Sequence, residues 1–424
     1  MKRIIFWVYI TLTLCGTANV TFGQDKNTEN MEPLTVGDVL PPLPIMELMH
    51  YDAENFDMLT LQERLVIFDF FHTSCVNCIL SFPKLDSLKR HFGNKLDIII
   101  VTSESKDKME RFYQNNAFLK NKQLKMPTIY ADTILSKYFP HQAVPHSAWI
   151  YGGEVKAVTY ADFIDGPTIQ RVLDGEKIDV PVKNDFLTGI STAVPEVDAL
   201  SLGSVKLSGF RHDKPMFDGI HTEHDANGIF QSYFYNVETL GIFKALSAKI
   251  ETPTFLLTPE RIVWNVDSIG RYRYEEGGNG QNRWLYENAI SYHRMDGNDI
   301  PEAERVKVIW QDIENFLGID VYWGTREMDC LVIREVTPQE SRDSTTGQTV
   351  EGTGVLAFLL DYSGRYPPVV DEVKNKVKMV IGSYNDLEEL NSAIRAYGIE
   401  VVPARRTIRV LHVEERARTK RGDG

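Results

Sequence analysis

An α/β domain with a mixed central sheet flanked by helices, followed by an α+β region of repeated helix-hairpin units, is the fold class this sequence predicts. Three observations predict it. The apolar run Val66, Ile67, Phe68, Asp69, Phe70, Phe71 delivers Cys75-Val76-Asn77-Cys78 at the expected start of a helix. Strand-like and helix-like segments then alternate to about residue 175. Beyond residue 200, a helical segment followed by Gly-Ile-x-Val occurs twice, with the glycines at Gly318 and Gly398.

In the first half, residues 66–71 are continuously apolar apart from one aspartate, as in a strand buried on both faces. A helix is expected from 76 to 91, starting inside the cysteine pair. A strand at 97–102, a helix at 106–116 and a short helix near 135–139 follow. Strands at 146–151 and 154–160 and a helix at 167–173 close the domain. The expected boundaries are 31–175 for this domain, 176–199 for a polar linker, 200–414 for the second region and 415–424 for a disordered basic tail.

Two cysteines one helical turn apart carry the chemistry. At a helix N-terminus, unpaired backbone N–H groups and the positive end of the dipole stabilise a thiolate, so Cys75 is expected to be the attacking thiol. Cys78 lies on the same face, close enough to form a disulfide with Cys75 and release a mixed-disulfide intermediate, which makes it the resolving thiol. A structural zinc site would need two further ligands, and no second C-x-x-C follows. Asp69 sits inside an apolar strand, where a charge is costly unless it is used or paired. The dithiol needs no further cofactor.

Several separate positions resemble thioredoxin. Asp69 lies six residues before Cys75, where thioredoxins hold a buried acid that relays protons for the resolving cysteine. Pro83 follows Cys75 by eight positions, as does the proline in the first helix of that family. Val144-Pro145 resembles the family's cis-proline loop, which would present the Val144 backbone to a substrate strand. The lead-in at 34–41 and the extra segment at 125–132 are similar to the TlpA and ResA branch of exported thioredoxin-like proteins, over about 31–175. The resemblance implies a thioredoxin fold and a thiol-disulfide oxidoreductase acting on protein disulfides. It implies Asp69 as proton relay and Val144 and Pro145 as substrate-binding residues. If the enzyme is a reductase, a membrane electron donor is implied, because an oxidising exterior cannot recharge it. The sequence departs from the family at Val76-Asn77, where a proline-containing pair is usual. It departs again at Ser74, where tryptophan is usual, and at Ser81, where the ResA type often has glutamate. The rival expectation is a binding protein whose thioredoxin-like domain is a scaffold with a static disulfide.

Lys2-Arg3, an apolar stretch at 4–14 and then small or polar residues are built like a secretory signal, expected at 1–23. Export to the bacterial periplasm or cell envelope is the consequence, with lipoprotein anchoring through Cys15 as the alternative to a cleaved signal. Nothing later approaches ~18 consecutive apolar residues, so no transmembrane segment is expected in the mature chain. Of four cysteines, Cys75, Cys78 and Cys330 remain beyond Cys15, too few to staple a chain of 424 residues that can bury its own cores. Cys330, in the strand-like 328–333, is expected to be a buried inert thiol. A net charge of −13 argues against nucleic acid and anionic membrane surfaces, which require a positive footprint.

In the second half, each repeat is expected to be a helix, a glycine cap and a hairpin. The helices are placed at 308–316 and 387–397, with hairpin turns at 324–326 and 404–406 and a fainter copy at 240–266. Residues 200–413 resemble an uncharacterised exported domain of soil bacteria, carried by Gly318-Ile319, Thr325-Arg326-Glu327-Met328 and Pro368-Val369-Val370-Asp371. No activity comes with that resemblance, and a binding or localisation module is expected. His212, His221 and His224 with Asp213, Asp218, Glu223 and Asp225 group possible metal ligands, but Pro215, Gly219 and Gly228 favour a hydrated loop. Gly277-Gly278-Asn279-Gly280 lacks the lysine of a phosphate loop and reads as a hairpin tip. His72, three residues before Cys75, would tune the thiolate if its ring reached the sulfur. No G-x-S-x-G or H-E-x-x-H motif supports a second enzyme.

Overall fold

The computed structural model describes residues 31–44, 46–51, 55–56, 62, 64–187, 203–216, 219–224, 228–275, 280–339 and 347–416. The expected signal sequence with Cys15, residues 188–199 of the expected linker, most of the basic tail, Asp218, Asp225 and Gly277 to Asn279 lie outside them. The contacts define two compact units. One holds the described residues up to His141 with Ala148–Val158; the other holds Gln142–Ser147 with the described residues from Thr159 onward.

Chain order in the N-terminal part is β1 (Met46–Met49), β2 (Asn55–Phe56), β3 (Leu65–Phe70), α1 (Val76–Phe92), β4 (Leu96–Val101), α2 (Lys106–Asn115) and α3 (Ala117–Asn121). It continues with β5 (Thr128–Ile129), α4 (Leu135–Tyr138), β6 (His146–Tyr151), β7 (Glu154–Thr159) and α5 (Gly166–Leu173). The sheet runs β2-β1-β5-β4-β3-β6-β7. β4 is parallel to β3 and β5, whereas β1 is antiparallel to β5, so the sheet is mixed as expected. Every residue of β3 and β4 is buried, which explains why both read as unbroken apolar runs carrying one aspartate each. This arrangement is the mixed α/β sheet with helices that the sequence predicts.

α1 owes its ends to local chemistry. Cys75 is the N-cap and Gly93 the C-cap, the latter at φ 56°, while Lys89 and Arg90 place positive charge on the last turn, where the dipole favours it. Pro83 lies inside this helix. α5 starts at Asp165, whose carboxylate accepts the Thr168 amide proton at 2.8 Å.

The second unit contains β8 (Gly203–Ser208), β9 (His221–His224), β10 (Phe230–Val237), α6 (Thr239–Ile250), β11 (Ile262–Asn265), α7 (Gln281–Asn288), β12 (Ile290–Asp296), α8 (Glu302–Leu317) and β13 (Ile319–Glu335). β14 (Gln348–Glu351), α9 (Thr353–Tyr362), β15 (Val369–Asp371), β16 (Lys378–Ile381), α10 (Leu387–Ile394) and β17 (Ile399–Glu415) complete it. Leaving aside β8, β9 and α7, the order β-α-β-β-α-β occurs twice. In each copy the first and third strands pair antiparallel, β10 with β12 and β14 with β16. The second strand of each copy instead pairs parallel with the long last strand of the other, β11 with β17 and β15 with β13.

The expected helix-hairpin unit is corrected here. The helices and their glycine caps are present, with Gly318 at φ 69° and Gly398 at φ 76° in the left-handed region. No chain reversal follows. β13 and β17 each run 17 residues without a turn and pair antiparallel from Ile319↔Glu415 to Glu335↔Ile399. Thr325, Arg326, Arg405 and Arg406, read as turn residues, are exposed rungs in the middle of this ladder. Polar residues there interrupt burial between two cores, and from sequence that interruption is indistinguishable from a turn. In the fainter copy, α6 and β11 form, but 254–257 is not a strand.

The two copies make two cores. One gathers Phe243, Ile313 and Val321 with Leu411 and Val413 from the far end of β17. The other gathers Leu356, Leu360 and Val401 with Leu331 and Ile333 from the far end of β13. Each long strand therefore serves both cores. Cys330 is buried in β13, and burial pushes its thiol up. The segment expected to be a loop at His221–His224 is strand β9, paired with β10. Gly280 is not at a hairpin tip: at φ 95° it caps the start of α7, and a Cβ there would lie 2.5 Å from the Asp162 carboxyl carbon. No helix among the described residues is long and apolar enough to cross a membrane.

Candidate active site

β3 and α1 place the two cysteines. After β3, Phe71 donates its amide proton to Val101 O at 2.9 Å, and a tight turn follows in which Cys75 N–H donates to His72 O at 2.8 Å. The turn leaves Cys75 at the head of α1, where its Sγ accepts the Cys78 amide proton at 3.2 Å. Cys75 and Cys78 are joined by a disulfide, with their Cα atoms 5.3 Å apart. Their surroundings differ: Cys75 is partly exposed, whereas Cys78 is 0% exposed. The first turn of α1 carries no acid that would oppose a thiolate. Val76 and Leu80, one turn apart, are exposed apolar side chains beside the pair.

Asp69 is fully buried in β3, and neither carboxylate oxygen has a hydrogen-bond partner among the described residues. Burial pushes its pKa up to about 7, against the opposing pull of the Lys84 charge. A carboxyl that titrates near neutrality can take up and give back a proton at physiological pH, which an ordinary aspartate cannot.

The turn before Cys75 is anchored by a residue the sequence reading passed over. Glu104 accepts from Thr73 N at 2.8 Å and from Thr73 Oγ1 at 2.9 Å, and its carboxylate pairs with Lys108 Nζ at 2.5 Å. Burial works against its charge, but Lys108, both Thr73 donors and His72 hold the carboxyl below the usual glutamate range. His72 is held in the same group, with Nε2 3.0 Å from Glu104 Oε1 and Nδ1 2.8 Å from Ser74 Oγ. Its ring nitrogens are engaged by Glu104 and Ser74, so the ring helps fix the turn. A carboxylate followed four residues later by a lysine was the available signal for Glu104.

In the second unit, the Val144–Pro145 peptide is cis, as the resemblance implied. The residues just before it are clamped by the stretch read as linker. Asp185 Oδ2 accepts the amide protons of Gln142 and Ala143, each at 2.9 Å, and Lys183 Nζ donates to Ala143 O at 2.9 Å. Lys183 also pairs with Asp185 at 2.6 Å. Thr159 Oγ1 donates to Pro181 O at 2.6 Å and secures the same stretch. Among the described residues, no group of three or more His, Cys, Asp or Glu side chains is placed to hold a metal ion.

No protein-family model matches this chain, and no curated protein matches it. Solved structures with local similarity include the thioredoxin domain of a thiol-disulfide oxidoreductase from Bacteroides vulgatus. It is 13% identical with TM-score 0.26, and the match covers 34% of this chain and 97% of that one. The exposed lipoprotein thioredoxin Etrx1 of Streptococcus pneumoniae strain TIGR4 is 19% identical with TM-score 0.26, covering 31% and 99%. A thiol-disulfide isomerase from Corynebacterium glutamicum is 15% identical with TM-score 0.26, covering 33% and 97%.

Proposed function

We propose that this protein is a thiol-disulfide oxidoreductase that exchanges disulfides with protein substrates in the cell envelope, in the reducing direction. The observation that carries this reading is the asymmetry of the Cys75–Cys78 pair, one residue partly exposed at a helix N-terminus and the other fully buried. The reduced Cys75 thiolate attacks one sulfur of a substrate disulfide, forming a mixed disulfide and releasing the first substrate thiolate. Cys78, as thiolate, then attacks the Cys75 sulfur, forming the Cys75–Cys78 disulfide and releasing the second substrate thiolate. Both electrons come from the dithiol, and both released thiolates take up protons. Asp69 accepts the Cys78 proton in the second step, a role supported by its burial and raised pKa. Val144 and Pro145 hold the substrate backbone, and the C-terminal region selects or localises the substrate. A membrane electron donor restores the dithiol.

The test is to replace Cys78 by serine in the full chain. Without a resolving thiol, Cys75 should accumulate mixed disulfides with substrate proteins that dissolve on adding reductant, while Cys75→Ser accumulates none. If Cys78→Ser traps nothing, the disulfide is static and the exchange reading fails. Equilibration with graded dithiol buffers tests the direction. A potential near or below about −250 mV supports a reductant, and one near about −120 mV a disulfide donor.

A further inference from the structure

The second unit carries a cleft of about 260 Å³, walled by Ala143, Val182, Leu187, Phe210, Lys214 and Met216 among others. Val182 and Met216 are exposed apolar side chains at its rim. Lys214 is the unusual member, because it is only 7% exposed yet charged. Its ammonium lies over the Tyr235 ring at 4.9 Å and makes no ion pair among the described residues. The acids nearby are already engaged. Asp213 is held by Arg211 at 3.0 and 2.6 Å, and Asp185 by Lys183 and two backbone amides. Burial works against the Lys214 charge and the nearby Asp213 carboxylate only partly offsets it, so an anion from outside that pairs with the ammonium would be favourable.

We propose that this cleft binds an extended polypeptide segment in which an acidic side chain is flanked by apolar ones, with Lys214 as the anchor for the carboxylate. The size of the cleft argues for part of a longer ligand, since it is below the ~300–1,000 Å³ of pockets that enclose whole small molecules. The apolar rim receives the flanking side chains. Its wall includes Ala143, next to the Val144–Pro145 peptide, so a chain lying in the cleft runs on toward the loop assigned above to substrate backbone. The assignment of that polypeptide as the redox substrate rests on the proposed function; the binding site itself does not.

The test uses the full-length protein and a dye-labelled peptide, acetyl-Ala-Leu-Glu-Leu-Ala-amide, followed by fluorescence anisotropy. The peptide is expected to bind, and the same peptide with glutamine for glutamate to bind about tenfold more weakly or worse. Lys214→Met should weaken the glutamate peptide by a similar factor and leave the glutamine peptide unchanged. Met216→Glu, an exposed change that leaves the core intact, should weaken the glutamate peptide by charge repulsion. Octanoate should not compete. No binding, equal binding of both peptides in wild type, or displacement by octanoate at the same concentration overturns the proposal. The peptide lacks cysteine, so failure here is separate from a failure of mixed-disulfide trapping.

Discussion

At the scale of single residues, the proposed mechanism divides its chemistry among Asp69, Cys75 and Cys78 by burial. Asp69 has a folded-state pKa of about 7, above its ordinary value of 3.8, so the folded protein retains a proton that the unfolded chain has released. Between pH 4 and 7 the unfolded state binds fewer protons, and stability from this group falls as pH rises; above about pH 7 the loss is complete and constant. The full shift corresponds to about 4 kcal/mol, as an upper bound. Asp69→Asn removes the ionisable group but keeps a buried amide to satisfy, so a net gain of about 2 kcal/mol at pH 8 and none near pH 4 is expected. Urea unfolding at both pH values checks this. The same substitution should slow turnover on a disulfide substrate about 10²-fold and abolish a rate inflection near pH 7. An unchanged pH-rate profile would remove Asp69 from the mechanism.

At the scale of elements, the turn between β3 and α1 is only as rigid as its Glu104 anchor. This carboxyl titrates below its ordinary value of 4.5, so its stabilising effect is present above that value and lost as pH falls through the folded-state pKa. Glu104→Gln should therefore cost about 1–3 kcal/mol at pH 7, and the difference from wild type should shrink at strongly acidic pH. Thermal unfolding at the two pH values measures it. A cost independent of pH would mean that the amide replaces all the bonds of the carboxylate. Glycine caps were readable in advance at this scale, because Gly318 and Gly398 each stand after the last apolar helical position and each adopts positive φ. The strands after them were read as hairpins because Thr325 and Arg405 look like turn residues until their ladder partners are known.

At the scale of the whole molecule, the exchange of strands in the second unit makes two cores interdependent. Leu360 belongs to one core, yet β13 and β17, which cross that core, also line the other. Leu360→Ala should destabilise its own core by about 2–5 kcal/mol. Hydrogen exchange should show the loss in α8 and the start of β13 as well as in α9, because the two cores open as one cooperative body. If α8 keeps its protection while α9 loses it, the cores are independent and the shared strands couple nothing.

What could be read in the chain alone is local. The spacing of Cys75 and Cys78, the apolar continuity around Asp69, Pro145 before a strand, and the glycine after each amphipathic helix are set by neighbours within a turn or two. Backbone periodicity and helix-end chemistry act at that range, so β3, β4, β6 and β7 were readable in advance, whereas the short strands β1, β2 and β5 were too brief to show a period. Tertiary structure decided every matter of distant partnership. Glu104 meets Thr73 across 31 residues, Asp185 meets Gln142 across 43, and Ile319 meets Glu415 at the end of a ladder. Lys214 makes no ion pair among the described residues, because Asp213 pairs with Arg211 and Asp185 with Lys183. Such pairings depend on which closures of the chain bury the most apolar surface, a sum over the whole molecule that no short window of sequence contains.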